Sequence, residues 1–180
     1  YDPINEQLYD YVNGRHDLEQ RRIVAIGHPA ERFQEDHLRM LRAIRFTHTL
    51  AFTLDPETEC AICEMAPLIK RISAERIEME LTRMLVDSPK PGEALRHLHR
   101  VGLLEHILPE IIPMIGQEQP PQFHPEGDVF EHTVLMLNLM NAEPVEAPAY
   151  PPRELAYAVL LHDVGKPPTA RIGTGTGRRL

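Results

Sequence analysis

The sequence of 180 residues contains no tryptophan, only two cysteines and no long hydrophobic run. Two cysteines cannot build a disulfide framework, so a disulfide-stapled secreted domain is excluded and a reducing, cytoplasmic setting is expected. Cys60 and Cys63 form a CxxC pair without the context that a redox or zinc role needs, and we predict two small buried thiols. No apolar run approaches the roughly 18 residues of a membrane-spanning helix.

Positive charge is also scarce, with 19 lysines and arginines against 27 acidic residues and a formal net charge of -8. This balance argues against nucleic-acid binding by the whole surface, because phosphate backbones attract basic surfaces. A local basic groove stays compatible with the composition, since the electrostatic field depends on where the charges lie.

Strand signals are few, and only residues 8–12 and 22–26 have the composition of short extended segments. The 17 prolines divide the rest into short elements, because proline ends helices and is excluded from central strands. Helix signals are frequent: Asp55 precedes a proline as an N-cap, Ser73 precedes an amphipathic run, and Gly102 is typical of a C-terminal cap. The chain is therefore predicted to be mostly α-helical.

The stretch EDHLRMLRAIRF, residues 35–46, mixes charge with apolar residues that favour a buried helix. On one continuous helix that advances by about 100° per residue, Asp36 and Arg39 share a face with Arg42 near them, and Arg45 lies opposite Asp36. One interpretation is an ion pair with arginines that extend past apolar neighbours. The other is a pair that reads a nucleobase edge, because carboxylates accept hydrogen bonds and guanidiniums donate them. Spacing alone favours the ion pair.

Three ordered motifs change this balance: YVNGRHDL, then EDHLR, then ERIEMEL. Together they resemble the neck of bacterial class II tRNA nucleotidyltransferases (CCA-adding enzymes) and poly(A) polymerases, over about residues 1–108. The resemblance implies that Asp36 and Arg39 read the base of incoming ATP or CTP, and that Glu35 is the acid preceding them. It also implies that Arg42 and Arg45 lie near the nucleotide and the RNA end.

The flanking motifs carry further implied roles. Arg76 and Glu80 match a pair that braces the reading helix, and their i, i+4 spacing places them on one helical face. Gly14 and Asp17 match a flexible connection between the catalytic head and the neck. These roles come from the resemblance and not from spacing.

The family to which these motifs point joins CMP or AMP units to a tRNA or other RNA 3′ end and releases pyrophosphate. Its Mg²⁺ ligands, a pair of aspartates in a head domain, have no match in this sequence, so no catalytic residue is assigned. We therefore expect a trimmed piece of a longer protein, which selects the nucleotide and holds RNA. Two alternatives stay open: a metal-dependent phosphohydrolase that keeps the neck as a scaffold, and a catalytically silent RNA-binding adaptor.

The later motifs FHPEGDVFEHT and LLHDVGKP resemble the first segments of an HD-type phosphohydrolase domain. The resemblance implies His132, His162 and Asp163 as metal ligands, a set that suits Mg, Mn, Ni, Co or Zn. The family also needs a later aspartate, and none follows Gly165, so weak binding or none is expected. His124 is either a substitute ligand or a turn residue, and the turn is favoured.

The proline-rich stretch that follows the neck is predicted to be a linker, with helices near 128–141 and 153–164 beyond it. We expect the end of the head and its connector at residues 1–30 and a helical neck and body at residues 31–108. The linker is expected at residues 109–127, and a partial HD-like domain at residues 128–180.

Overall fold

A computed structural model describes residues 2–140 and 152–170 of the chain. Within these ranges nearly all of the regular secondary structure is helical, which confirms the predicted fold class. The α-helices are Gly14–Glu19 (α1), Pro29–Glu35 (α2), Leu38–Thr49 (α3), Pro56–Met65 (α4), Ala74–Asp87 (α5), Pro91–Arg100 (α6), Leu104–Ile107 (α7), Val129–Met140 (α8), Pro152–Leu161 (α9) and Lys166–Thr169 (α10). Two 3-10 helices span Ala66–Arg71 and Pro109–Met114. No helix in the described ranges is long and apolar enough to cross a membrane.

The described strands, Arg22–Ile23 (β1) and Thr53–Leu54 (β2), are two residues each and pair in parallel. The predicted extended segment 22–26 is therefore a strand at its first two residues, Arg22 and Ile23. The segment 8–12 is not a strand, and the prediction was wrong there. The short pairing positions the chain just before α4, where the Asp55 carboxylate accepts a hydrogen bond from the Thr58 amide at 3.0 Å, as its N-cap pattern predicted.

The predicted single helix over 35–46 is broken in the structure. Helix α2 ends at Glu35, and Asp36 is extended, with φ -152° and ψ 105°. The Asp36 side chain then accepts a hydrogen bond from the Leu38 amide at 3.1 Å, at the start of α3. The angles calculated for a continuous helix therefore do not apply to Asp36. The apolar period runs through the break, so periodicity alone could not reveal it.

The hydrophobic core is centred on α3, whose Met40, Leu41 and Ile44 are fully buried. Apolar side chains of α5, α6 and α8 and Ala156 and Leu160 of α9 belong to the same core. Within the predicted linker, residues 109–114 form a 3-10 helix that buries Ile111 and Met114 in this core. The division into four regions stays a prediction.

Helices α6 and α8 approach closely at Gly92. A Cβ atom at this position would lie 2.2 Å from the backbone carbonyl oxygen of Val134. The Gly92 amide also donates a hydrogen bond to the Asn138 side chain at 2.8 Å. This contact joins the neck-like helices to the helix that carries His132.

Helix α4 carries both cysteines on its exposed side. The prediction that Cys60 and Cys63 are buried was wrong, because the core-facing positions of this helix are taken by Thr58, Ala61 and Ile62.

Candidate functional site

A groove of about 440 Å³ lies between β1, α2, α3 and the start of α4. Its apolar lining includes Phe33 and Phe46, and its charged lining consists of Asp36 and three arginines, Arg32, Arg39 and Arg42. The structure thus brings together three of the residues predicted to bind a nucleotide. Arg32 was missed because the motif was taken to begin at Glu35, although Pro29 marks a helix start that would have included it.

The ion pairs at this groove differ from the predicted pairing. Glu35, not Asp36, is the partner of Arg39, with Oε2 to Nη1 at 2.5 Å, and it also contacts Arg32 Nη1 at 2.8 Å. The hydrogen bond from Arg39 is the main reason why the pKa of the Glu35 carboxyl lies below its ordinary value. Glu35 therefore holds two guanidiniums at one wall of the groove.

Asp36 is paired with an arginine from another helix. Its Oδ2 accepts a hydrogen bond from Arg76 Nη2 of α5 at 2.9 Å. Burial of the carboxyl opposes ionisation, but the Leu38 amide and the Arg76 guanidinium outweigh it and keep the pKa below its usual range. Asp36 is thus a fixed, ionised acceptor at the groove.

Arg45 does not lie at the groove, although it was predicted to be near the nucleotide. Its Nε lies 2.6 Å from Glu80 Oε2, and the two residues are 8% and 4% exposed. Its guanidinium also stacks over the Phe46 ring at 4.0 Å from the centroid. The predicted bracing residues thus reach different partners, with Arg76 on Asp36 and Glu80 on Arg45, and both tie α5 to the region of α3.

Arg42 is exposed at the groove, with its guanidinium 5.9 Å from the Phe46 ring centroid. Gly14 and Asp17 lie on α1, which buries none of its residues. The Asp10 carboxylate accepts a hydrogen bond from the Gly14 amide at 3.0 Å. The hinge role implied for Gly14 and Asp17 stays a prediction.

A second cluster lies where α8 meets the end of α9. His132, His162 and Asp163 offer ligand atoms that all lie within 4.8 Å of one another. His162 Nε2 is 3.2 Å from Asp163 Oδ2, and Lys166 Nζ is 2.7 Å from the same oxygen. Asp163 is only 8% exposed, and its Oδ2 has no well-oriented hydrogen bond in the described part of the chain. By ligand type, two imidazoles and a buried carboxylate fit a divalent cation, and Lys166 already supplies one positive charge beside this carboxylate.

Two further residues adjoin this cluster from the turn before α8. Glu126 Oε1 lies 2.5 Å from His132 Nδ1 and 3.0 Å from His124 Nδ1. Its own backbone amide and then the two histidines lower the pKa of Glu126 to about 2. Sequence reasoning favoured a plain turn for His124 and did not consider Glu126. The signal was the HPE run six residues before His132.

Known proteins share the sequence and the fold of this chain. Residues 51–115 match a family model described as a probable RNA- and SrmB-binding site of polymerase A. The Multifunctional CCA protein of Alkalilimnicola ehrlichii is 38% identical over 169 residues, which are 90% of this chain and 38% of that protein. The CCA-adding enzyme of Bacillus licheniformis is 45% identical over 101 residues, 56% of this chain and 25% of that enzyme.

The fold has a solved relative as well. The crystal structure of the Bacillus stearothermophilus CCA-adding enzyme in complex with CTP matches with a TM-score of 0.63 and 31% identity, covering 87% of this chain and 34% of that one. The fold is therefore the helical neck-and-body fold found in nucleotidyltransferases. More narrowly, the chain belongs to the class II tRNA nucleotidyltransferase family. It spans 38% of the length of the Alkalilimnicola relative.

Proposed function

We propose that the groove selects the incoming nucleotide, and that the adjoining body holds an RNA 3′ end, in a cytoplasmic protein that adds CMP, AMP or both with release of pyrophosphate. The observation that carries the proposal is the fixed carboxylate of Asp36 beside the guanidiniums of Arg39 and Arg42 on one groove. Mg²⁺ for the transfer would be held by the family's head domain.

The groove has the hydrogen-bonding pattern that cytosine and adenine need. Both bases present an amino donor next to a ring-nitrogen acceptor, which matches a carboxylate beside a guanidinium. Uracil and guanine present a carbonyl oxygen in place of the amino group, and that oxygen would face the Asp36 carboxylate without a proton between them. Arg39 uses Nη1 for its contacts with the Glu35 carboxylate and the Arg32 carbonyl oxygen, so within the described residues Nη2 and Nε are available to a base.

RNA holding is supported separately from nucleotide choice. The matched RNA-binding region, residues 51–115, covers α4 to the second 3-10 helix. The groove is lined mainly by residues before this region, so the two tasks are assigned to adjoining parts of the body.

The test uses the full-length protein with Asp36→Ala and Arg39→Ala. We expect both variants to lose discrimination of ATP and CTP from GTP and UTP in single-turnover addition, with little change in RNA affinity. Arg83→Ala, an exposed arginine of α5 outside the groove, is the matched control. Unchanged discrimination in both groove variants would falsify the base-reading role.

We also propose a second candidate, a metal-dependent phosphohydrolase site at the histidine cluster. It is favoured by the convergence of His132 with the adjacent residues His162 and Asp163, which begin 30 residues later in the sequence. A divalent ion held there would supply a polarised water for hydrolysis of a phosphate ester. Lys166 lies beside Asp163 and offers an ammonium that can meet a phosphate.

This second activity is tested independently of the groove. We expect phosphatase activity with added Mn²⁺ or Ni²⁺ to be lost in His162→Ala and kept in Asp36→Ala. Activity that survives in His162→Ala would rule out this cluster. If neither nucleotide selection nor hydrolysis is found while RNA still binds, the adaptor alternative is favoured.

A further inference from the structure

We propose that Glu126 is a positioning residue that holds the imidazole ring of His132 as the Nδ1–H tautomer, so that this ring keeps its Nε2 lone pair for a metal ion. The inference rests on the metal-dependent function proposed for the cluster. It gives a role to a turn that sequence reasoning set aside.

The tautomer of His132 follows from the chemistry of its partner. Glu126 Oε1 lies 2.5 Å from His132 Nδ1 and 3.0 Å from His124 Nδ1, both hydrogen-bonding distances. An ionised carboxylate can only accept hydrogen bonds, so each Nδ1 must carry the proton. In a neutral ring the lone pair then lies on Nε2, the atom that can bind a metal.

The same distances argue against Glu126 as a ligand through this oxygen. Ligand atoms at about 2.1 Å from a divalent ion are separated from one another by about 3.0–3.4 Å in octahedral or tetrahedral geometry. The distance of 2.5 Å from Oε1 to His132 Nδ1 is shorter than this, so these two atoms do not share one ion, and Oε1 accepts the Nδ1 proton instead.

His162 follows the same rule with a different acceptor. Its Nδ1 lies 2.7 Å from the Val159 carbonyl oxygen, which can only accept, so in a neutral ring the lone pair again lies on Nε2. That Nε2 lies 3.2 Å from Asp163 Oδ2, the separation expected of two donors to one ion. His132 and His162 thus share one arrangement, in which an oxygen acceptor at Nδ1 prepares Nε2.

The turn that carries Glu126 is held from both sides. Gly127 has φ +130°, a conformation that side chains rarely adopt. Asp128 then accepts hydrogen bonds from the Glu131 amide at 2.8 Å and the Gly116 amide at 2.7 Å. The carboxylate of Glu126 is therefore presented to the two histidines by a constrained backbone.

The test compares Glu126→Ala with Glu126→Gln, which keeps an oxygen acceptor, and with Glu110→Ala, an exposed acid on the second 3-10 helix. In the metal-free protein at pH 8, long-range ¹H–¹⁵N NMR reports the tautomer of each ring. We expect wild type and Glu126→Gln to show Nδ1–H for His132, and Glu126→Ala to gain the Nε2–H form. Mn²⁺ affinity should fall about 10- to 100-fold in Glu126→Ala and be largely restored in Glu126→Gln.

Each outcome decides one question. An unchanged His132 tautomer in Glu126→Ala overturns the positioning role, whatever the metal affinity. A Co²⁺ absorption spectrum that changes its coordination type in Glu126→Gln at saturation also overturns it, because it makes Glu126 a ligand. If wild type binds neither Mn²⁺ nor Co²⁺, the metal function fails, while the NMR result still tests the contact of Glu126 with the two histidines.

Discussion

The buried pair of Arg45 and Glu80 gives the sharpest prediction about stability. Its atoms are 2.6 Å apart, and both residues are almost wholly removed from solvent. Replacing Glu80 leaves a guanidinium that cannot lose its proton in a site without a counter-charge. Removal of one partner of such a pair costs about 3–5 kcal/mol.

The measurement is urea unfolding of Glu80→Leu followed by far-UV circular dichroism. With a denaturant dependence of about 2 kcal/mol/M, the loss should lower the midpoint by about 2 M. Glu110→Gln, an exposed acid, should change the free energy of unfolding by less than about 0.5 kcal/mol.

A double replacement separates the charge from the packing. Arg45→Met with Glu80→Leu removes both charges and keeps apolar volume, so it should be more stable than Glu80→Leu alone. The reasoning is refuted if Glu80→Leu loses less than about 1 kcal/mol, or if the double variant is no more stable than the single one. In either case α5 would not be held to α3 by this pair.

Two further predictions concern the packing of the body. Gly92→Ala should lower the melting temperature by several degrees, because its Cβ would lie 2.2 Å from the Val134 carbonyl oxygen, whereas Gly165→Ala meets no atom within 4 Å and should change little. His48 Nε2 lies 2.9 Å from His97 Nδ1; burial is the main cause that lowers the pKa of His48 to about 4 and that of His97 below its ordinary value. Between pH 6.5 and about 4 the unfolded chain binds protons that the folded chain does not bind. The free energy of unfolding should therefore decrease as the pH is lowered, by at most about 1.4 kcal/mol per pH unit for each histidine. Urea unfolding at several pH values should show that the free energy of unfolding of His48→Gln depends less steeply on pH than that of the wild type. An equal dependence on pH in the two proteins contradicts the role assigned to His48.

Sequence patterns predicted helix ends that depend on residues close together in the chain. Asp55 caps α4 because its carboxylate reaches the Thr58 amide three residues on, and Gly102 ends α6 with φ +76°. The break at Asp36 is also local, but the apolar pattern of α3 continues across it and hides the extended residue. Pattern-based reasoning therefore found the helices more reliably than it found the kink between two of them.

The sequence by itself determined the helical class, the starts of α4 and α5, the end of α6, the approximate positions of α8 and α9, and the order of the motifs that indicate the family. It could not determine which charges meet. Arg76 and Asp36 are 40 residues apart, Arg45 and Glu80 are 35 apart, and Glu126 reaches His132 across a turn. Spacing on one helix describes neighbours within a few residues, whereas these pairs form only when helices pack and burial makes an unpaired charge costly. Helical spacing had already separated Arg45 from Asp36, Arg39 and Arg42, but only the tertiary structure decided that Arg45 pairs with Glu80 while the other three residues line one groove.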